Sequence, residues 1–87
     1  MITIRAVIYG RDSAFIYAQC LEKDIEAKGQ TITSLRRRLS SAIDRARREP
    51  TWDKLPRADD EFFDAWKRAP EHQRLIFTPE EQLTWNM

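Results

Sequence analysis

Residues 14–43, AFIYAQCLEKDIEAKGQTITSLRRRLSSAI, decide the fold. Positions 14–21 read as a strand. Ala14, Ile16, Ala18 and Cys20 fall on one face, and Phe15, Tyr17, Gln19 and Leu21 on the other, the period of two that a pleated backbone imposes. LEKD at 21–24 turns the chain, and IEAKG at 25–29 is a short strand with Ile25 and Ala27 on one face, closed by Gly29. The period then changes. Ile32, Leu35, Leu39, Ile43 and Ala46 recur at helical spacing, one apolar stripe on a helix of about four to five turns. Thr31 or Thr33 can cap it, because a threonine hydroxyl accepts a bond from a free amide of the first turn. Pro50 ends it, since proline disfavours helical geometry in the residue before it. The stripe needs an apolar surface, and the even positions of the strands supply one.

Outward from this segment, ITIRAVIY at 2–9 alternates Ile2, Ile4, Ala6 and Ile8 with Thr3, Arg5, Val7 and Tyr9. GRDS at 10–13 is turn material, so the first two strands are expected to form an antiparallel hairpin. Residues 50–58, PTWDKLPRA, make a proline-punctuated connector. Asp59 or Asp60 can cap a short helix carrying Phe62, Phe63 and Trp66 and ending at Ala69–Pro70. RLIF at 74–77 has the composition of a fourth strand at a sheet edge. TPEEQLTWNM opens like a helix, with Thr78 as cap and Pro79 at the first position. The expectation is one α+β domain over residues 1–87: a βββα core at 1–49, a connector at 50–58, and an aromatic helix, fourth strand and tail at 59–87. The helices are expected mainly on one face of a small antiparallel sheet.

Composition narrows the function. The 87 residues are 33% charged and 41% hydrophobic, the balance of a globular chain. A formal net charge of +1 creates no overall field to draw nucleic acid or membrane. A single cysteine forms no internal disulfide, which fits a reducing, cytoplasmic setting. No apolar run reaches the roughly eighteen residues of a membrane span, and MITIRAVIYG lacks the pattern of a signal peptide.

No catalytic constellation, cofactor motif or metal spacing stands out. His72, the one histidine, lies in APEHQR without a placed partner to make it a general base. The first two strands contain no carboxylate, and a nuclease-type metal cluster needs carboxylates converging from adjacent strands. Two glycines, Gly10 and Gly29, do not make a phosphate loop. The expectation is therefore a binding protein and not an enzyme. Two groups of residues are candidates for the binding. In RRRLSSAIDRARR, Arg37, Arg45 and Arg48 share an outward stripe with Ser41, which reads either as a solvated helix face or as a contact for nucleic acid or an acidic partner. Among the aromatics, Trp52, Phe63 and Trp85 are the candidates for a protein contact, while Trp66 and one phenylalanine are expected to pack onto the sheet. Cys20 shares a face with Ile16 and Ala18 and reads as a packing residue.

The same residues carry a family resemblance. Ala18-Gln19-Cys20-Leu21, a hydrophilic turn, Asp24-Ile25, Gly29-Gln30-Thr31 and then Leu35, Leu39 and Ile43 follow the order of the core segment of HicB-type antitoxins, over roughly residues 2–48. KLPRADDEFFDAWKRAP also resembles a segment of shorter HicB-like proteins. The resemblance implies a partial ribonuclease-H-like fold, a homodimer, and a protein that masks the active surface of an RNA-cleaving toxin of the HicA type. It does not extend to the DNA-binding segment many such antitoxins carry, since no helix-turn-helix or ribbon-helix-helix order follows Ile43. Two other roles suit the residues: a nucleic-acid-binding regulator using the arginine-rich helix, and a phage-encoded inhibitor of a bacterial defence complex such as CRISPR.

Overall fold

The computed structural model describes residues 3–78. Four strands form one sheet: β1 (Ile4–Arg11), β2 (Ile16–Cys20), β3 (Glu26–Gly29) and β4 (Arg74–Phe77). Their spatial order is β3-β2-β1-β4, with every neighbouring pair antiparallel. Helix α1 (Ile32–Arg47) follows β3, and α2 (Asp60–Arg68) precedes β4. The class is α+β, and RLIF is indeed an edge strand.

The β1–β2 hairpin is closed by a side chain. Asp12 Oδ1 accepts the amides of Ala14 and Phe15, both at 2.8 Å, and Oδ2 accepts the Tyr17 hydroxyl at 2.6 Å. These bonds hold the Asp12 carboxyl below its ordinary pKa, the Tyr17 hydroxyl contributing most. Gly10 and Arg11, expected in the turn, belong to β1. The register shifts between Ile8 and Gly10, so Tyr9 is an extra residue opposite β2. Such a bulge lets the strand run on while re-aiming its last side chains.

The core lies on the even face. Ile4, Ala6 and Ile8 of β1, Ala18 and Cys20 of β2, and Leu75 and Phe77 of β4 pack with Leu35, Leu39 and Ile43 of α1. Leu35 and Leu39 are wholly buried, worth about 1.5–3 kcal/mol each against exposure. Ile32, expected in the stripe, is 37% exposed because it opens the helix before the chain has swung over the sheet. Thr31 is the cap. Its hydroxyl accepts the Ser34 amide at 3.1 Å while the Ser34 hydroxyl accepts the Thr31 amide at 3.1 Å, a reciprocal capping box.

Two expectations are corrected. The helices do not share a face. Phe62 meets the ring of Tyr9 edge-on at 5.2 Å, and the Arg5 guanidinium lies 5.5 Å from the Trp66 ring. Arg5 and Tyr9 point away from the α1 core, so α2 covers the opposite side of β1. Val7, on that side, is fully buried. The connector is also more than a tether. Trp52 opens a 3-10 turn (Trp52–Lys54) and joins the core at 9% exposure. The Ala58 amide donates to the Leu21 carbonyl at 2.9 Å, and the Asp24 amide to the Pro56 carbonyl at 2.7 Å. The connector thereby runs along the 21–24 turn and carries α2 around the end of the sheet.

Candidate functional site

Two surfaces and one buried group are the candidates: the side of the sheet opposite α1, the outer face of α1, and the cysteine beneath that helix. On the first, Glu22 organises one half. Its two carboxylate oxygens accept the Arg5 amide at 2.7 Å and Arg5 Nε at 2.6 Å. The guanidinium so held lies 5.7 Å from the Phe63 ring and 5.5 Å from the Trp66 ring. Arg57 lies 4.6 Å from the Phe63 ring, and Arg74 lies 5.4 Å from the Trp66 ring. Arg74 also donates to the carbonyls of Trp66 at 2.9 Å and Lys67 at 3.1 Å, at the C-terminal end of α2, where a cation complements the helix dipole. The alternation of cations and rings fastens α2 to β1 and β4. Phe63, expected at a partner contact, is half-buried between Arg5 and Arg57 and forms part of this fastening. No residue of α2 is fully buried, Trp66 and both phenylalanines being intermediate.

The other half of that side, toward β2 and β3, has no helix over it among the described residues. An open concavity of about 380 Å³ is lined by Tyr9, Tyr17, Glu26, Ala27 and Lys28. Tyr9 is 43% exposed, and its ring centroid is 6.3 Å from that of Tyr17. Phe15 stands 6.5 Å beyond Tyr17, with the Lys28 ammonium 4.5 Å from its ring. Partial burial, and secondarily the Glu26 carboxylate, raises the Tyr9 pKa above the ordinary tyrosine value. The patch thus presents three rings, two of them tipped by hydroxyls, rimmed by one cation and one anion. Alternation had placed Tyr9 and Tyr17 away from the core, which was the available signal. What sequence could not show was that α2 would reach only one side of Tyr9, through Phe62, and leave Tyr17 beyond it.

The arginines of α1 lie where the spacing predicts. Arg36, Arg37, Arg38, Arg45 and Arg48 are all exposed. Asp44, the one acid among them, is bound by Arg48 at 3.0 Å and lies 3.9 Å from Arg47. Trp52 is not at the surface: Lys23 donates to its carbonyl at 2.7 Å and its ammonium lies 4.8 Å from the indole. The structure thus places this expected partner contact within the core cluster. Trp85 lies outside the described residues. His72 is exposed in a 3-10 turn, Glu71–Gln73. Among the described residues, no group of three or more His, Cys, Asp or Glu is placed to hold a metal ion, and no helix is long and apolar enough to cross a membrane.

Cys20 is fully buried in the core, and burial, with a smaller contribution from Glu22, pushes its thiol up to about 12. The thiolate is the reactive form. Labelling of the folded protein by a thiol reagent at pH 8 is expected to be about 100-fold slower than labelling of the unfolded chain, because it waits on opening of the core. The folded state also holds this proton more tightly than the unfolded state. The stability it contributes is complete below about pH 9 and is lost as pH rises toward about 12. Equal labelling rates with and without denaturant would place the thiol outside the core.

No protein-family model, curated protein or solved structure matches this chain.

Proposed function

We propose that this protein acts by binding another protein, as a HicB-antitoxin-like module that masks the active surface of a partner, by resemblance an RNA-cleaving toxin of the HicA type. The observation that carries the reading is the uncovered Tyr9–Tyr17–Phe15 patch on the sheet face opposite α1. Tyrosine gives large, rigid contact area with a polar tip at small entropic cost, which is why aromatic residues concentrate where protein surfaces meet. The patch is shallow and open, a shape suited to a broad contact and not to enclosing a small substrate. Tyr9 and Tyr17 are the proposed anchors, with Lys28 and Glu26 setting orientation at the rim. The homodimer and the cytoplasmic setting implied above belong to the same proposal. Among the described residues β4 has an open outer edge where a second copy could pair, and its Ile76 is 57% exposed.

The test is affinity capture from the native host with mass spectrometry, run with wild type and with the double variant Tyr9→Ala, Tyr17→Ala. Circular dichroism establishes that both are folded. The expected result is a specific protein partner whose recovery falls at least about tenfold in the double variant, the loss of two anchors. A captured RNA-cleaving protein whose activity is restored by the double variant supports the masking role. A subunit of a defence complex would move the assignment to an inhibitor of that complex. Undiminished recovery with both tyrosines removed would take the binding site off this face.

A further inference from the structure

One arginine of this protein already shows how its sheet holds a guanidinium. Glu22 accepts Arg5 Nε at 2.6 Å, and the guanidinium so fixed lies 5.7 Å from the Phe63 ring and 5.5 Å from the Trp66 ring. A carboxylate sets its position and two aromatic rings attract its charge.

The uncovered half of the same face has the same parts without the arginine. Register places Glu26, Gln19 and Val7 in one row across the strands, and Lys28 and Tyr17 in the next. Tyr9, the extra residue of the β1 bulge, reaches across β2 toward Glu26. Tyr9, Tyr17 and Glu26 thus border one concavity of about 380 Å³, with 6.3 Å between the two ring centroids. Among the described residues Glu26 belongs to no ion pair. Asp12 supplies a second carboxylate, which accepts the Tyr17 hydroxyl at 2.6 Å. A phenol that donates to a carboxylate has a more electron-rich ring, and the ring face attracts cations. Lys28, the cation of this rim, stands over Phe15, its ammonium 4.5 Å from that ring. Two carboxylates against one ammonium leave the concavity net negative.

We propose that this concavity receives the guanidinium of one exposed arginine of the protein partner, stacked on the Tyr9 and Tyr17 rings and donating to the Glu26 carboxylate. The inference rests on the protein-binding reading of this face and adds the partner's chemistry to it. Arginine fits better than lysine, because a planar guanidinium can lie on a ring while its fork donates to a carboxylate. An exposed carboxylate alone contributes little. The rings add attraction, and that attraction grows when the partner's own surface excludes water. Arginine is also what an RNA-cleaving surface displays, since it must hold phosphate. A partner acidic at this point meets Glu26 and Asp12 as like charges and is disfavoured.

The experiment is a two-dimensional amide NMR titration of the whole protein with the pentapeptide acetyl-Gly-Gly-Arg-Gly-Gly-amide, and with the same peptide carrying citrulline, its neutral isostere. The arginine peptide is expected to saturate with a Kd of about 1–10 mM, as suits a single side chain, and to shift the amides of Tyr9, Tyr17, Glu26 and Ala27. Glu26→Gln weakens it about fivefold, the double variant Tyr9→Ala, Tyr17→Ala abolishes it, and Tyr9→Phe, which keeps the ring, holds affinity within about twofold. Melting curves verify folding in every variant. Equal shifts with the citrulline peptide, shifts confined to another face, or none up to about 50 mM peptide overturn the proposal. A single-stranded pentanucleotide that shifts these amides where the arginine peptide does not also overturns it, and assigns the rings to base stacking. The capture experiment separates this inference from the reading beneath it. Glu26→Lys is expected to cut partner recovery as far as the double tyrosine variant does. Full recovery with Glu26→Lys and loss with the double tyrosine variant would keep the protein contact and remove the arginine from it.

Discussion

Trp52→Ala is expected to lower folding stability by about 3–5 kcal/mol, the range for truncating a buried aromatic ring. Trp52 is only 9% exposed and belongs to the same buried cluster as Leu39, Ile43 and Phe77. Removal also strips the Lys23 ammonium of the ring beneath it. Nothing nearby can collapse into the space cheaply, because the 3-10 turn carrying Trp52 is tied to the end of α1 by the Trp52 amide, which donates to the Glu49 carbonyl at 3.1 Å. A domain of this length has about 5–10 kcal/mol in total, so the variant is expected to lose roughly a third or more of its stability. Urea melts at low temperature give the value, and Trp52→Phe, which keeps much of the ring, is expected to cost less than half as much. A loss under about 1 kcal/mol for Trp52→Ala would mean that the ring contributes little to the core and would reopen its role as a partner contact.

Gly29→Ala is expected to cost about 2–3 kcal/mol and to lower the melting temperature by about 10–20 °C. The reason is proximity and not backbone conformation. A Cβ at Gly29 would sit 2.6 Å from the Leu35 amide nitrogen, 2.8 Å from the Leu35 Cα and 2.9 Å from the Ser34 hydroxyl oxygen. Two of these atoms are backbone in the first turn of α1, so relief requires moving β3 and the helix apart and opening the contact that buries Leu35. The usual entropic gain from replacing glycine, about 0.4–1 kcal/mol, is too small to offset this. Gly10→Ala is the matched control. No atom lies within 4 Å of a Cβ there and its φ is not positive, so it is expected to be neutral or slightly stabilising. Equal effects at the two glycines would show that β3 and α1 do not approach so closely.

The contrast between these positions shows what was legible in advance. Gly29 followed by Thr31 looked like a strand end before a capped helix, and it is. The reason for glycine at 29 needs the distance to Leu35, which no spacing contains. Leu35, Leu39 and Ile43 were readable because a helix puts residues three and four apart on one stripe, whatever the fold around it. Ile16, Ala18 and Cys20 were readable through the equivalent rule for strands. Trp52 was misplaced for want of any such period. In a connector with no repeat, only contacts decide whether a ring lies in or out, and here the contact is with the core. Phe63 was misplaced in part for a related reason: its neighbours Arg5 and Arg57 come from β1 and the connector.

The candidate surfaces divide in the same way. The exposed arginine stripe follows from the α1 core stripe, since whatever is not buried on a single helix faces outward. The tyrosine patch needed the position of α2. Tyr9 and Tyr17 were known to lie off the core side, but a second helix could equally have covered them.

Local order along the chain determined the strands, α1 with its cap, the buried even face and the basic helix surface. Each depends on a period set by backbone geometry and on side chains a few residues apart. Tertiary structure alone decided that α2 crosses to the opposite face, that Trp52 turns inward and that Tyr9 and Tyr17 remain open. Those outcomes rest on pairings between distant residues: Arg5 with Glu22, Leu21 with Ala58, Asp24 with Pro56 and Arg74 with Trp66. Such pairings form only once the sheet has brought their elements together, because each bond is worth too little to order the intervening chain on its own.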